Sequence, residues 1–187
     1  MQCFAILAML VGLAGCPEAC LETWAGAQVY PGLEVVSAGA ENLTASRASE
    51  FRLLIRNGTT REIDACVVAW IARCASGRVI PGPDAIVDKL GSLQKLPPDA
   101  FLTVKSSGTE ITVGDADAIV AIEGKIDFVL FADGEQWGPD ERGLAKIIKA
   151  RREGARMIAM RMLGLYEDKG LEAILEELRN AAASGRP

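Results

Sequence analysis

The chain has 187 residues, half of them hydrophobic, with 25 acidic against 20 basic side chains and no histidine. That length and apolar share suit one domain with appendages and a sizeable core. The missing histidine removes Ser-His-Asp and Cys-His catalysis and the usual zinc sites, and a net charge of −5 gives no general reason to expect nucleic-acid binding.

Residues 4–15 (FAILAMLVGLAG) form an uncharged apolar run. It is shorter than the ~20 residues of a membrane-spanning helix and reads as the centre of a secretory signal. Residues 1–15 are therefore set aside from the fold, although no Lys or Arg precedes the run. Leu13-Ala14-Gly15-Cys16 resembles the lipobox of bacterial lipoproteins. The resemblance implies a diacylated Cys16 as the mature N-terminus, export to the cell envelope, and membrane contact through a lipid anchor. Cleavage at Ala25-Gly26-Ala27 is the alternative and implies a periplasmic or secreted soluble protein. Its distance from the apolar run favours the lipobox, and residues 16–27 then read as a tether. Cleavage after Ala27 leaves Cys66 and Cys74 as an even pair, whereas lipidation leaves Cys20 as a third thiol. A disulfide between Cys66 and Cys74 requires the chain to reverse within eight residues. The other reading of Cys66 is a small buried core residue.

Residues 28–138 are rich in strand signals. A first strand lies within 28–38, interrupted by Pro31-Gly32, and 43–49 is polar and irregular. In 50–56, Phe51, Leu53 and Ile55 face one way and Arg52 and Arg56 the other, the pattern of a half-buried strand. Residues 63–71 (IDACVVAWI) form a long apolar strand. A two-residue turn at Asn57-Gly58 would set Phe51 opposite Asp64 and Leu53 opposite Glu62, mixing apolar and acidic residues on one face. Either the turn is longer, or the chain crosses to a second sheet as a β-sandwich does between its early strands. Trp70 then resembles the buried tryptophan of an immunoglobulin-like third strand. The prolines and glycines of 76–100 indicate a long loop, which is where a sugar or peptide ligand would be held. Strands follow at 101–105 and 110–113, around a Ser107-Gly108 turn, and at 118–122.

Residues 126–138 (IDFVLFADGEQWG) carry the clearest signal. Asp133-Gly134 suits a two-residue type I′ hairpin loop. That loop sets Leu130 opposite Trp137, so Trp137 joins Ile126, Phe128 and Leu130 in the core, and Val129 and Phe131 cover the second face. Asp133 becomes a turn residue rather than a catalytic carboxylate.

Beyond Pro139 the hydrophobic period changes to that of a helix. Asp140 is the expected N-cap, and Leu144, Ile147, Ile148, Ile158, Met162 and Leu165 form the apolar stripe. Gly170 separates this helix from a second at 171–183, so 139–187 is a C-terminal helical segment. Between 141 and 166, seven Lys or Arg stand against two Glu. Arg142, Lys146, Lys149, Arg152 and Arg156 align at helical spacing. One reading is a stripe that meets an anionic partner or lipid headgroups. The other is a solvated face balanced by Glu172, Glu176 and Glu177 of the second helix.

Asp115, Asp117, Asp133 and Asp140 match no calcium-loop pattern, and glycine-rich phosphate loops and CxxC motifs do not occur, so no cofactor or metal is expected. Asn42-Leu43-Thr44 and Asn57-Gly58-Thr59 fit glycosylation sequons. The series Ile55-Arg56-Asn57, Ile63-Asp64-Ala65-Cys66-Val67-Val68-Ala69-Trp70 and Phe131-Ala132-Asp133-Gly134-Glu135-Gln136-Trp137-Gly138 resembles uncharacterised exported bacterial proteins that carry an F-x-D-G-x-x-W-G motif before a helical tail. The resemblance covers about 51–161 and implies an immunoglobulin-like or fibronectin-like β-sandwich with C-terminal helices, and no activity. The expectation is a mainly β chain, an immunoglobulin-like β-sandwich over 28–138 with two C-terminal α-helices. Its expected role is that of a non-catalytic exported envelope domain with an unknown protein partner. A sugar- or peptide-binding module using the 76–100 loop is the alternative, and an enzyme using carboxylates alone is a third.

Overall fold

In a computed structural model that describes residues 30–90 and 95–184, the alternating stretches form seven strands in two antiparallel sheets. β1 (Leu33–Leu43), β2 (Arg47–Asn57) and β5 (Phe101–Thr112) make one sheet, in the order β1-β2-β5. β3 (Ile63–Cys74), β4 (Val79–Asp88), β6 (Ile119–Phe131) and β7 (Gln136–Trp137) make the other, in the order β4-β3-β6-β7. Helices α1 (Ala145–Lys169) and α2 (Leu171–Ala183) follow. Cys16 and the 16–27 tether lie outside the described residues.

One core draws on both sheets. Phe51, Leu53 and Ile55 of β2 are buried while Arg52 and Arg56 are exposed, as alternation requires. The same cluster holds Cys66, Val68, Trp70 and Ala72 of β3 with Ile122, Ile126, Val129 and Phe131 of β6. Trp70 is fully buried, 6.2 Å from the Phe51 ring, and its indole N–H donates to the Arg52 carbonyl at 3.1 Å. Ala65 and Val67 of β3 point away from this core and are covered, with Phe128 and Leu130, by α1. β3 is therefore buried on both faces, which explains why it lacks polar alternation.

Between Asn57 and Ile63 the chain crosses from the first sheet to the second, so the apolar–acidic register of a tight hairpin never arises. Asn57 fixes the crossing. It is fully buried, its amide donates to the carbonyls of Arg61 (2.8 Å), Leu96 (3.1 Å) and Pro97 (3.1 Å), and its oxygen accepts the Thr59 hydroxyl at 2.7 Å. This sequon is a buried structural link with no free amide for a glycan.

Other expectations change. Residues 79–88 are a strand, not part of a long loop: β4 pairs with β3 despite Pro81, Gly82 and Pro83. It lies at a sheet edge, where a missing proline N–H need not break a ladder, and the register shifts between Ala69 and Ile71. β5 runs through the expected Ser107-Gly108 turn as a bulge, since Ser106 pairs with Phe51 and Glu110 with Ser49. Cys66 and Cys74 stand on one continuous strand, about 27 Å apart at ~3.4 Å per residue, and both are buried and free. The chain does not reverse between them, so they cannot bridge. Burial pushes the Cys66 thiol up to about 12.

The β6–β7 hairpin has three loop residues, not two. The Gly134 N–H donates to the Phe131 carbonyl (3.0 Å) and the Phe131 N–H to the Glu135 carbonyl (2.9 Å), with Gly134 at φ +91°. Left-handed glycine closing a three-residue loop is the next commonest hairpin solution. The added residue sets Trp137 opposite Val129 instead of Leu130, and a one-residue slip changes the face. Trp137 is half-buried beside the inter-sheet core, edge-on to Tyr30 at 5.7 Å. A bulge at Asp127 similarly separates Ile126 from Phe128 and Leu130.

Candidate functional site

The basic stripe begins where the chain leaves β7, and Asp127 organises that point. Its carboxylate is fully buried and accepts the backbone N–H groups of Glu141 (3.2 Å) and Arg142 (3.1 Å). Its carbonyl accepts from the Asp140 N–H at 3.1 Å. Lys125 stands 3.9 Å from the Asp127 carboxylate and also pairs with Glu141, holding the Glu141 carboxyl below its usual range. Gly138 lies against the same strand at φ +118°, and a Cβ there would sit 2.3 Å from the Asp127 carbonyl oxygen. A side chain is excluded by both the conformation and the space. Asp140 is not the N-cap residue: α1 starts five residues later, with Leu144 at the cap position. The Asp140 carboxylate nevertheless accepts the Ala145 N–H at 3.0 Å, satisfying one of the helix's unpaired donors from across the turn.

Ala145 and Ile148 are then buried against Ala65, Val67, Phe128 and Leu130. The five aligned cations divide. Arg142 pairs with Asp84 at 3.1 Å, and Arg152 pairs with Asp64 and, at 2.8 Å, with Asp88. Partial burial pushes the Asp84 carboxyl up, outweighing the opposing pull of Arg142. Lys146, Lys149 and Arg156 are exposed, and Arg156 makes a 3.9 Å approach to Glu153 on its own helix. Two members of the stripe are thus internal ties to the second sheet. Their partners are strand aspartates rather than Glu172, Glu176 or Glu177, and the ion pair that joins the helices is Arg161–Glu177. Asp64, Asp84 and Asp88 did not stand out in the sequence. The available signal was Asp64 inside an otherwise apolar strand, where an acid needs a partner.

Between the β6–β7 hairpin and the first turns of α1 lies an open cleft of about 730 Å³ lined by Phe128, Trp137, Lys125, Lys149, Asp140 and Glu141. A lining that mixes apolar surface with ammonium and carboxylate groups suits a ligand with one apolar face and polar edges. At the far side of the hairpin, Asp133 is bound by Arg61 at 2.8 Å and accepts the Glu135 N–H. The arginine holds the Asp133 carboxyl below its usual range, and its guanidinium lies 4.2 Å from the Phe131 ring centre. Among the described residues no three His, Cys, Asp or Glu side chains converge as metal ligands, and no helix is long and apolar enough to cross a membrane.

Past Ile148, α1 buries no residue, and α2 buries none. Met157, Ile158, Met160, Leu163 and Tyr166 are 54–64% exposed, and Leu171 and Leu178 of α2 are 58% and 52% exposed. The expected apolar stripe is therefore covered at Ile148 and open at Ile158. No protein-family model matches the chain, and a search of curated proteins finds no match.

Proposed function

We propose that this chain is a non-catalytic exported envelope domain with a protein-interaction role, anchored to a membrane through a lipid on Cys16. In this reading an immunoglobulin-like β-sandwich presents a helical arm to a partner. The observation that carries it is the arm: seven large apolar side chains more than half exposed on α1 and α2. Contiguous exposed apolar surface marks interaction sites, and solitary exposed hydrophobics do not.

The sandwich assignment is supported by strand order. β1-β2-β5 and β3-β6-β7 correspond to the A-B-E and C-F-G strands of the immunoglobulin arrangement. Trp70 supports it too, as a fully buried indole on the third strand. The departure is β4, which joins β3 in the second sheet instead of extending the first.

A photo-reactive residue placed at 163 in living cells is expected to give protein adducts of higher mass, and one at exposed Thr103 on β5 none. Absence of any protein adduct from 163 overturns the interaction role. Mass spectrometry of the mature N-terminus tests the anchor, with a lipid-modified Cys16 expected; an unmodified start at Gln28 replaces it with a soluble protein. The alternative, a sugar- or peptide-binding module, is favoured by the cleft between the β6–β7 hairpin and α1 rather than by 76–100, much of which is strand. Calorimetric titration with oligosaccharides and peptides tests it, and binding unchanged in Lys149→Glu sinks it.

A further inference from the structure

We infer that the exposed half of α1 pairs antiparallel with α1 of a second copy of this chain. The inference rests on the interaction reading of the arm and names the partner. Arg156, Met160, Leu163 and Glu167 follow one another at steps of four, three and four residues, the spacing of a coiled-coil seam. All four are exposed. The opposite side of the helix holds half-buried Met162 and Leu165 beside Arg161, whose partner is Glu177 of α2. The seam therefore faces away from α2.

The seam is complementary to itself in one orientation only. A two-fold axis between Met160 and Leu163 sets Met160 against Leu163 of the other copy and Arg156 against its Glu167. Each apolar layer is closed by an ion pair, and symmetry repeats both. Met157 and Tyr166, 64% and 54% exposed, lie one position outside the seam and cover its edges. A parallel pair would instead set arginine on arginine and glutamate on glutamate, which is unfavourable.

Charge placement argues against a lipid surface as the occupant. An interfacial helix needs cations along the same stretch as its apolar face. Here Lys146, Lys149, Arg151 and Arg152 belong to the docked half, and 153–183 carries six acidic against four basic side chains.

Sedimentation of the full chain over micromolar to millimolar concentrations is expected to show a monomer–dimer equilibrium. Arg156→Glu and Glu167→Arg should each weaken it by roughly tenfold or more, because each places two like-charge pairs in the dimer. The double variant should restore it, and Met160→Asp with Leu163→Asp should abolish it. These positions are exposed, and an unchanged thermal midpoint confirms folding. A chain that stays monomeric throughout, single reversals without effect, or a double reversal that fails to rescue overturns the inference. Vesicle binding by a chain that remains monomeric overturns it as well. Adducts from 163 to a different protein, without self-association, overturn this pairing and leave the interaction role standing.

Discussion

From 145 to 152, α1 is tied to the second sheet by Ala145, Ile148 and the pairs that Arg152 makes with Asp64 and Asp88. From 153 to 169 the same helix continues with no buried residue. The docked half is mostly Ala, Lys and Arg with two Ile, and the projecting half adds Met and Leu, residues that favour helix wherever the side chains end up. Local propensity thus explains why the helix continues, and tertiary contact explains where it is held. The docked half relies on a few buried polar links around a small apolar contact. The projecting half carries more apolar surface and has no sheet beneath it.

The largest expected break in this contrast is Asp127→Ala. It leaves two backbone donors and Lys125 without their acceptor in a buried site, and should cost about 3 kcal/mol in denaturant unfolding. Loss of that much stability from the start of α1, with arm substitutions near neutral, would confirm that the docked turn carries the load. Arg152→Ala should come next, at about 2 kcal/mol near neutral pH, because Asp64 and Asp88 then face each other without their cation. Stability unchanged in Arg152→Met would mean that packing of the arginine stem, not charge, is what matters.

Acid titration is a finer probe. The Glu141 carboxyl is lowered by Lys125, so its contribution is present above its ordinary value near 4.5 and is lost as pH falls below it. Asp84 is raised, so its contribution has the opposite sign and is lost as pH rises through its folded value. Lys125→Met should flatten the acid limb of the stability curve, because it removes the largest cause of the lowered Glu141 carboxyl. The smallest effect is expected from Leu163→Ser, within about 0.5 kcal/mol in unfolding of the monomer, since the side chain is 57% exposed. A larger loss would show that the arm already packs within one chain.

Several elements are legible in the sequence alone. The alternation of Phe51, Leu53 and Ile55 placed β2, the apolar run around Trp70 placed β3, and Gly170 placed the break between the helices. The acidic register problem at Asn57-Gly58 excluded a tight hairpin and left a longer turn or a crossing between sheets, and the chain makes the crossing. β4 was hidden because prolines and glycines signal a loop unless the strand lies at an edge, and edge position is not a local property. The facing of Trp137 was missed because Asp133-Gly134 serves two- and three-residue loops alike, and their registers differ by one. Of the stripe, Lys146, Lys149 and Arg156 are exposed as an outer face requires, while Arg142 and Arg152 are held by strand aspartates.

The sequence by itself determined where β2, β3 and the C-terminal helices lie, because side-chain period and apolar runs are properties of neighbouring residues. Only the tertiary structure decided which charges are partners and which apolar surface remains open. Asp64 and Arg152 lie 88 positions apart, so their pairing depends on how α1 is laid across the second sheet. The exposure of Met160 and Leu163 depends on the helix outrunning that sheet, which no local pattern records.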